Sequence, residues 1–188
     1  MLRVKKQIGL TPKLLAPILN HLNTEPPVGV AVLDTGISPH PDFYNRIFAF
    51  HDFVNHHSFL YDDGGHGTHV AGCIGGNGKM SRGMYSGMHP GCRLVIGKVL
   101  NRKGEGNIDD MLKGLDWVFD HQKEWNIRII NISVGMGAQS KSRQMSELIE
   151  KIDEAWKRGF VVVCAAGNDG PEPMSLSLLG AGKQVISV

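Results

Sequence analysis

The chain has 188 residues, enough for one domain with a substantial core, and 41% of them are hydrophobic, as in ordinary soluble globular proteins. Its net charge of +2 is too small to point to a nucleic-acid or membrane partner. Cys73, Cys92 and Cys164 are odd in number and widely spaced, which argues against a disulfide framework and for a reducing compartment.

Residues 1–27 read as an N-terminal arm that ends at Glu25-Pro26-Pro27. The arm starts basic, but Pro12, Lys13, Pro17 and Asn20 break any signal-peptide core. No stretch approaches the length of a transmembrane span. The expectation is a cytoplasmic protein with one domain over residues 28–188. Its first strand is VGVAVLDTG (28–36), an apolar run closed by an acid and a glycine turn, and RIFAFHDF (46–53) is the second. HGTHVAGCIGG (66–76) then opens a helix behind two acids and two glycines. Strand RLVIGKVL (93–100) is followed by a helix over 107–125, with Ile108, Met111, Leu112, Leu115, Val118 and Phe119 on one stripe. Asp109 and Asp110 in its first turn complement the helix dipole. IRIINISVG (127–135) precedes a helix over 142–159, striped by Met145, Leu148, Ile149, Ile152 and Trp156 and stopped at Gly159. FVVVCAAG (160–167) and QVISV (184–188) are the last strands. Most of these strands are near-continuous apolar runs, the pattern of strands buried on both faces. The alternation predicts an α/β fold of three layers, a mostly parallel sheet with helices on both faces.

In such sheets, sites gather at the carboxyl ends of the strands. Asp34 closes the first strand, Ser133, Val134 and Gly135 close the fourth, Asn168 follows the fifth, and His66 opens the first core helix. A helix N-terminus offers free N–H groups and partial positive charge, and a histidine there suits general-base work. Each feature also has a plain structural reading. Asp34 suits a turn, Asn168 a left-handed turn residue, and His66 a helix cap or a metal site shared with His69. The metal-peptidase pattern spaces its histidines one helical turn apart around a glutamate. Here only Gly67 and Thr68 stand between His66 and His69, and nothing fixes His51, His56 or His57 as further ligands.

Taken together, VAVLDTGISPHPDF (30–43), GGHGTHVAG (64–72) and VCAAGNDGP (163–171), in this order on an α/β frame, resemble the subtilisin-like serine peptidases, or subtilases. SGMHPGCRLVIGKVLN (86–101) and IINISVG (129–135) extend the resemblance over nearly all of residues 28–188. GKVLNRKGEGNIDD (97–110) is most similar to the intracellular branch. The resemblance implies that Asp34 is the catalytic aspartate and His66, not His69, the catalytic histidine. It implies that Asn168 belongs to the oxyanion hole and that Ser133, Val134 and Gly135 form an edge on which a peptide substrate adds as a strand.

The family's nucleophilic serine lies in a Gly-Thr-Ser motif beyond the asparagine, and these 188 residues contain no such motif. Ser175 and Ser177 follow Gly170-Pro171-Glu172-Pro173-Met174 without a helix-opening turn, and Ser133 lacks the glycine of a nucleophile elbow. The expectation is therefore the N-terminal part of a serine endopeptidase, incomplete at its C-terminus and inactive alone. Its partners would be a peptide or protein substrate and either the missing C-terminal half or a second copy. No cofactor is expected. Asp42 matches a calcium ligand of some relatives, but the loop GGNGKMSRGMYSG (75–87) is poor in oxygen-bearing side chains, so calcium stays unassigned. The 27 residues before the first strand are too few for a separate chaperone domain. Two other readings stay open, a non-catalytic peptide-binding or assembly module and a metal-dependent hydrolase built on the histidine-rich segment 51–69.

Overall fold

The computed structural model of the chain describes residues 2–9, 27–134, 143–167 and 177–188. The strands are β1 (Gly29–Asp34), β2 (Ile47–Asp52), β3 (Arg93–Lys98), β4 (Ile127–Ile132), β5 (Val161–Cys164) and β6 (Ile186–Ser187). The helices are α1 (Leu2–Gln7), α2 (His66–Gly75), α3 (Ile108–Asp120) and α4 (Arg143–Lys157). The strands form one sheet in the order β2-β3-β1-β4-β5-β6, and every pairing between these strands is parallel. The sheet expected to be mostly parallel is thus parallel throughout its described strands.

Strand β1 lies at the point where the chain changes direction across the sheet. β2 and β3 are laid on one side of it, and β4, β5 and β6 on the other. The connections therefore diverge at the carboxyl end of β1, where open α/β sheets leave a crevice. Asp34 is the last residue of that strand.

All six residues of β1 are buried because the sheet is covered on both faces. The side chains alternate, as the strand period of two requires. Val30 and Val32 join Leu94, Ile96, Phe43 and Ala71 in a smaller core beneath α2. Ala31 and Leu33 join a larger core with Met111 and Leu115 of α3, Leu148 and Ile152 of α4, and Phe160.

Helix α3 begins where Asn107 caps it, its side chain accepting from the Asp110 N–H at 2.7 Å. It ends at Asp120, five residues before the expected 125. Trp117, His121 and Trp125 continue a helical spacing, and His121 stacks on Trp125 with ring centroids 4.0 Å apart. Trp117 lies in the helix, but residues 121–126, which carry His121 and Trp125, form a turn closed by Asn126 at φ 50° before β4. On α4, Ile149 and Trp156 leave the expected core stripe and are 36% and 50% exposed. The buried residues are Met145, Leu148, Ile152 and Ala155, a narrower seam than the sequence suggested. Among the described residues, no helix is long and apolar enough to cross a membrane.

Candidate active site

The site begins with a single contact. Asp34 is fully buried, and Nδ1 of His66 lies 2.8 Å from its Oδ1 and 3.0 Å from its Oδ2. An ionised carboxylate can only accept, so Nδ1 carries the proton, and in the neutral imidazole Nε2 is then the acceptor. The His66 side chain is 54% exposed, so the pair joins a buried carboxylate to an imidazole open to solvent. The Thr35 N–H also donates to Asp34 Oδ1 at 2.7 Å. Burial pushes the Asp34 carboxyl above its ordinary value of 3.8, against the hydrogen bonds from His66 and Thr35 that pull it down.

The run Asp62-Asp63-Gly64-Gly65 brings His66 to this position. Gly65 stands at the helix N-cap with φ 81° and has no side chain to cap with. Asp62 supplies the acceptors instead. Its Oδ1 accepts from Gly64 N–H (3.1 Å), Gly65 N–H (2.7 Å) and the Thr35 hydroxyl (2.7 Å), and its Oδ2 accepts from Thr68 N–H at 2.8 Å. The Thr68 hydroxyl donates to the same Oδ2. Burial would raise the Asp62 carboxyl, but the Thr68 and Thr35 hydroxyls and the Thr68 and Gly65 N–H groups outweigh it and hold it below 3.8. Thr35 closes the circuit by accepting from the Gly67 N–H at 2.9 Å. A Cβ on Gly67 would stand 2.3 Å from Gly36 O and 3.2 Å from Asp34 Cβ. Only glycine lets the first turn of α2 rest on the end of β1.

His69 does not face Asp34. Its Nε2 lies 3.8 Å from Cys73 Sγ, one turn along the helix, in a cavity of about 480 Å³ also lined by His40, Phe43 and Tyr85. The other histidines of the 51–69 segment are engaged elsewhere or unsupported as ligands. His51 packs on Phe53 and Trp117, and His57 stacks on Phe59. Asp52 organises their loop by accepting from the N–H groups of Val54, Asn55 and His57 and from the Tyr61 hydroxyl. Among the described residues, no three His, Cys, Asp or Glu side chains converge as a metal site would require.

Around Asp42, the side-chain oxygens serve the loop itself. Asp42 Oδ1 accepts from the Met80 N–H at 2.8 Å, and Asn77 Oδ1 accepts from the Lys79 N–H at 2.8 Å. Arg46 donates to the main-chain oxygen of Asp42. One Asp42 oxygen and the Asn77 side-chain oxygen are thus taken up by the loop's own N–H groups, with the Arg46 guanidinium beside them.

Ser133 and Val134 run past the carboxyl end of β4, beside β1, where Leu33 pairs with Ile132. The Ser133 hydroxyl accepts from Asn131 Nδ2 at 2.6 Å, and Val134 is buried. Gly135, Asn168 and Ser175 lie outside the described residues. Ser177 is buried and committed to a turn, its hydroxyl donating to Ala165 O (2.7 Å) and accepting from Gly180 N–H (3.0 Å).

Three residues around the pair were missed by reading the sequence: Thr35, Asp62 and Lys98. Asp62 left a signal, an acid two residues before a Gly-Gly step into a helix. Lys98 left another, a charge directly after the apolar run Leu94–Gly97. Lys98 is fully buried, and its ammonium donates to Thr35 O (2.7 Å), Leu100 O (2.8 Å) and Asp63 Oδ1 (2.7 Å).

The model of the Subtilase family matches residues 27–188. The chain belongs to the subtilase family. It is 40% identical over 165 residues to the serine protease AprX of Bacillus subtilis (strain 168), a match covering 86% of this chain and 37% of AprX. It is 37% identical over 148 residues to subtilisin Savinase of Lederbergia lenta, covering 79% of this chain and 50% of Savinase. Among solved structures it is similar to Sphericase, with a TM-score of 0.72 at 30% identity, covering 85% of this chain and 52% of that one. This subtilase chain therefore spans about half or less of the length of these relatives.

Proposed function

We propose that this subtilase chain supplies the acid and the base of an Asp-His-Ser endopeptidase, with the nucleophilic serine provided from outside its 188 residues. The observation that carries the reading is the pair of His66 Nδ1 contacts to Asp34, at 2.8 and 3.0 Å. Asp34 holds the imidazole in the Nδ1–H tautomer and stabilises the imidazolium that forms when Nε2 takes the serine proton. His66 then returns that proton to the leaving amine. Asn168 would donate to the developing oxyanion, and Ser133, Val134 and Gly135 would pair with the backbone of an extended peptide or protein substrate.

On this reading the isolated chain does not turn over substrate. Its partner is the complementary half of a subtilase domain, and self-association is the competing outcome. The cytoplasmic placement is kept as part of the proposal, on the three unpaired cysteines.

The test is complementation. The chain is mixed with a subtilase segment carrying the Gly-Thr-Ser motif, and peptide hydrolysis and labelling by a serine-directed phosphonate are measured. Hydrolysis should appear only in the mixture, with the label on the added segment. Turnover by the chain alone, with label on Ser133, Ser175 or Ser177, would refute the proposal. Tight peptide binding with no hydrolysis in any mixture would favour a binding module.

A further inference from the structure

We propose that Lys98 is a positioning residue that fixes the spacing between Asp34 and His66. The inference rests on reading those two residues as the proton-transfer pair.

An ammonium has three N–H donors, and Lys98 commits all three to different segments. Thr35 O directly follows Asp34 in the chain, at 2.7 Å. Asp63 Oδ1, also at 2.7 Å, belongs to the turn that presents His66. Leu100 O, at 2.8 Å, belongs to the exit of the strand that carries Lys98 itself. The same exit holds the Asp34 main chain, since Val99 N–H and Leu100 N–H both donate to Asp34 O, at 2.9 and 3.2 Å. One buried charge thus ties the residue after the carboxylate to the turn before the imidazole and anchors both to β3.

A lysine that merely satisfies itself in a core needs acceptors but gains nothing from where they lie. Here two of the three acceptors flank the two members of the pair. Thr35 strengthens the link, because all its polar groups are engaged: its N–H with Asp34, its hydroxyl with Asp62 and Gly67, and its carbonyl with Lys98. The Asp63 end of the clamp is 37% exposed and can be altered without opening the core.

The experiment uses the 188-residue chain with its histidines labelled by nitrogen-15, and reads the tautomer of His66 by NMR. In the wild type, His66 should be a single Nδ1–H tautomer with a protected, downfield Nδ1 proton, and Asp34→Asn should remove that signature. Lys98→Met should shift both ring nitrogens toward tautomer averaging and lose the protected proton. Asp63→Asn should move them part of the way. Leu148→Ala, in the core on the other side of the sheet, should lower stability and leave the His66 spectrum unchanged.

A wild-type His66 spectrum in both Lys98→Met and Asp63→Asn would overturn the clamp while leaving the pair intact. If Lys98→Met does not fold, Asp63→Asn decides on its own. The same averaging in Leu148→Ala would show general loosening and would equally remove the positioning role. A wild type insensitive to Asp34→Asn would overturn the pair, and the clamp with it.

Discussion

Asp62 grips Thr68 twice, accepting from its main-chain N–H and from its hydroxyl, across His66. The bond spans the first turn of α2, so His66 sits inside a loop of chain closed at both ends. One carboxylate thus holds the start of the helix that carries His66.

Asp62→Ala removes the acceptor for the first turn and leaves the Thr35 hydroxyl without its partner. The chain should lose about 2 kcal/mol, read as a lower urea midpoint at unchanged slope. Asp62→Asn should lose less. The pH dependence has a definite sign. Because the folded carboxyl lies below 3.8, its contribution is fully present above that value and is lost as pH falls through the folded value. Acid unfolding of Asp62→Asn should be flatter than wild type below pH 3.8, and superimposable acid curves would contradict this assignment.

Asp34 has the opposite sign. Its folded carboxyl lies above 3.8, so the folded state holds the proton more readily than the unfolded chain does. Ionised Asp34 therefore costs stability, fully above the folded value, and the cost vanishes as pH falls below 3.8. Asp34→Asn should be at least as stable as wild type at neutral pH, and the difference should close in acid. In the complemented enzyme the same substitution should lower kcat by about 10⁴-fold, because the wrong imidazole tautomer is favoured. A variant that is less stable at neutral pH yet fully active would count against both statements.

His66→Ala should abolish hydrolysis by the complemented pair, a loss on the order of 10⁶ in kcat, while association measured by sedimentation stays intact. The side chain is 54% exposed, so packing loss is small. Asp34 is left without its main partner, however, and the chain should lose about 1–2 kcal/mol at neutral pH. Adding Asp34→Asn should recover that stability without recovering activity, a coupling that a double-mutant cycle reads directly.

Gly67→Ala tests the contact that seats α2. The added Cβ would stand 2.3 Å from Gly36 O, which is backbone and cannot swing aside. Overpacking of this kind costs about 1–3 kcal/mol. The larger effect should be on the complemented enzyme, where moving the helix by about 1 Å is expected to lower activity roughly 10²-fold. Wild-type kinetics with an alanine at this position would mean that the helix seat does not set the site.

Much of this was legible in the chain because local pattern and tertiary role agree. Val30 to Leu33 are apolar without alternation because both faces of β1 are covered, and Asp34 follows them at the edge. His66 could be told from His69 by the family pattern alone, since residues three apart share a helix face and helical spacing does not separate them. The supports of the pair were not legible. The Thr35–Asp62, Thr35–Gly67 and Lys98–Thr35 bonds join residues 27, 32 and 63 positions apart, and no local periodicity encodes such a bond. The end of α3 was not legible either: the apolar stripe stops at Phe119, one residue before the helix ends, and nothing in residues 121–125 marks the turn that follows.

The sheet also partitions the molecule. The site's helix α2 packs on the smaller core, while α3 and α4 pack on the larger one, across a layer of strands. Among the described residues, the larger core meets the strands of the pair at Ala31 and Leu33 of β1 and Val95 of β3. Exposed positions on the α3–α4 side, Trp156 and Ile149 first, can be changed for heat, solvent or expression without touching the Asp34–His66 contact, whereas Val134, buried in the same core, ties that side to the proposed substrate edge.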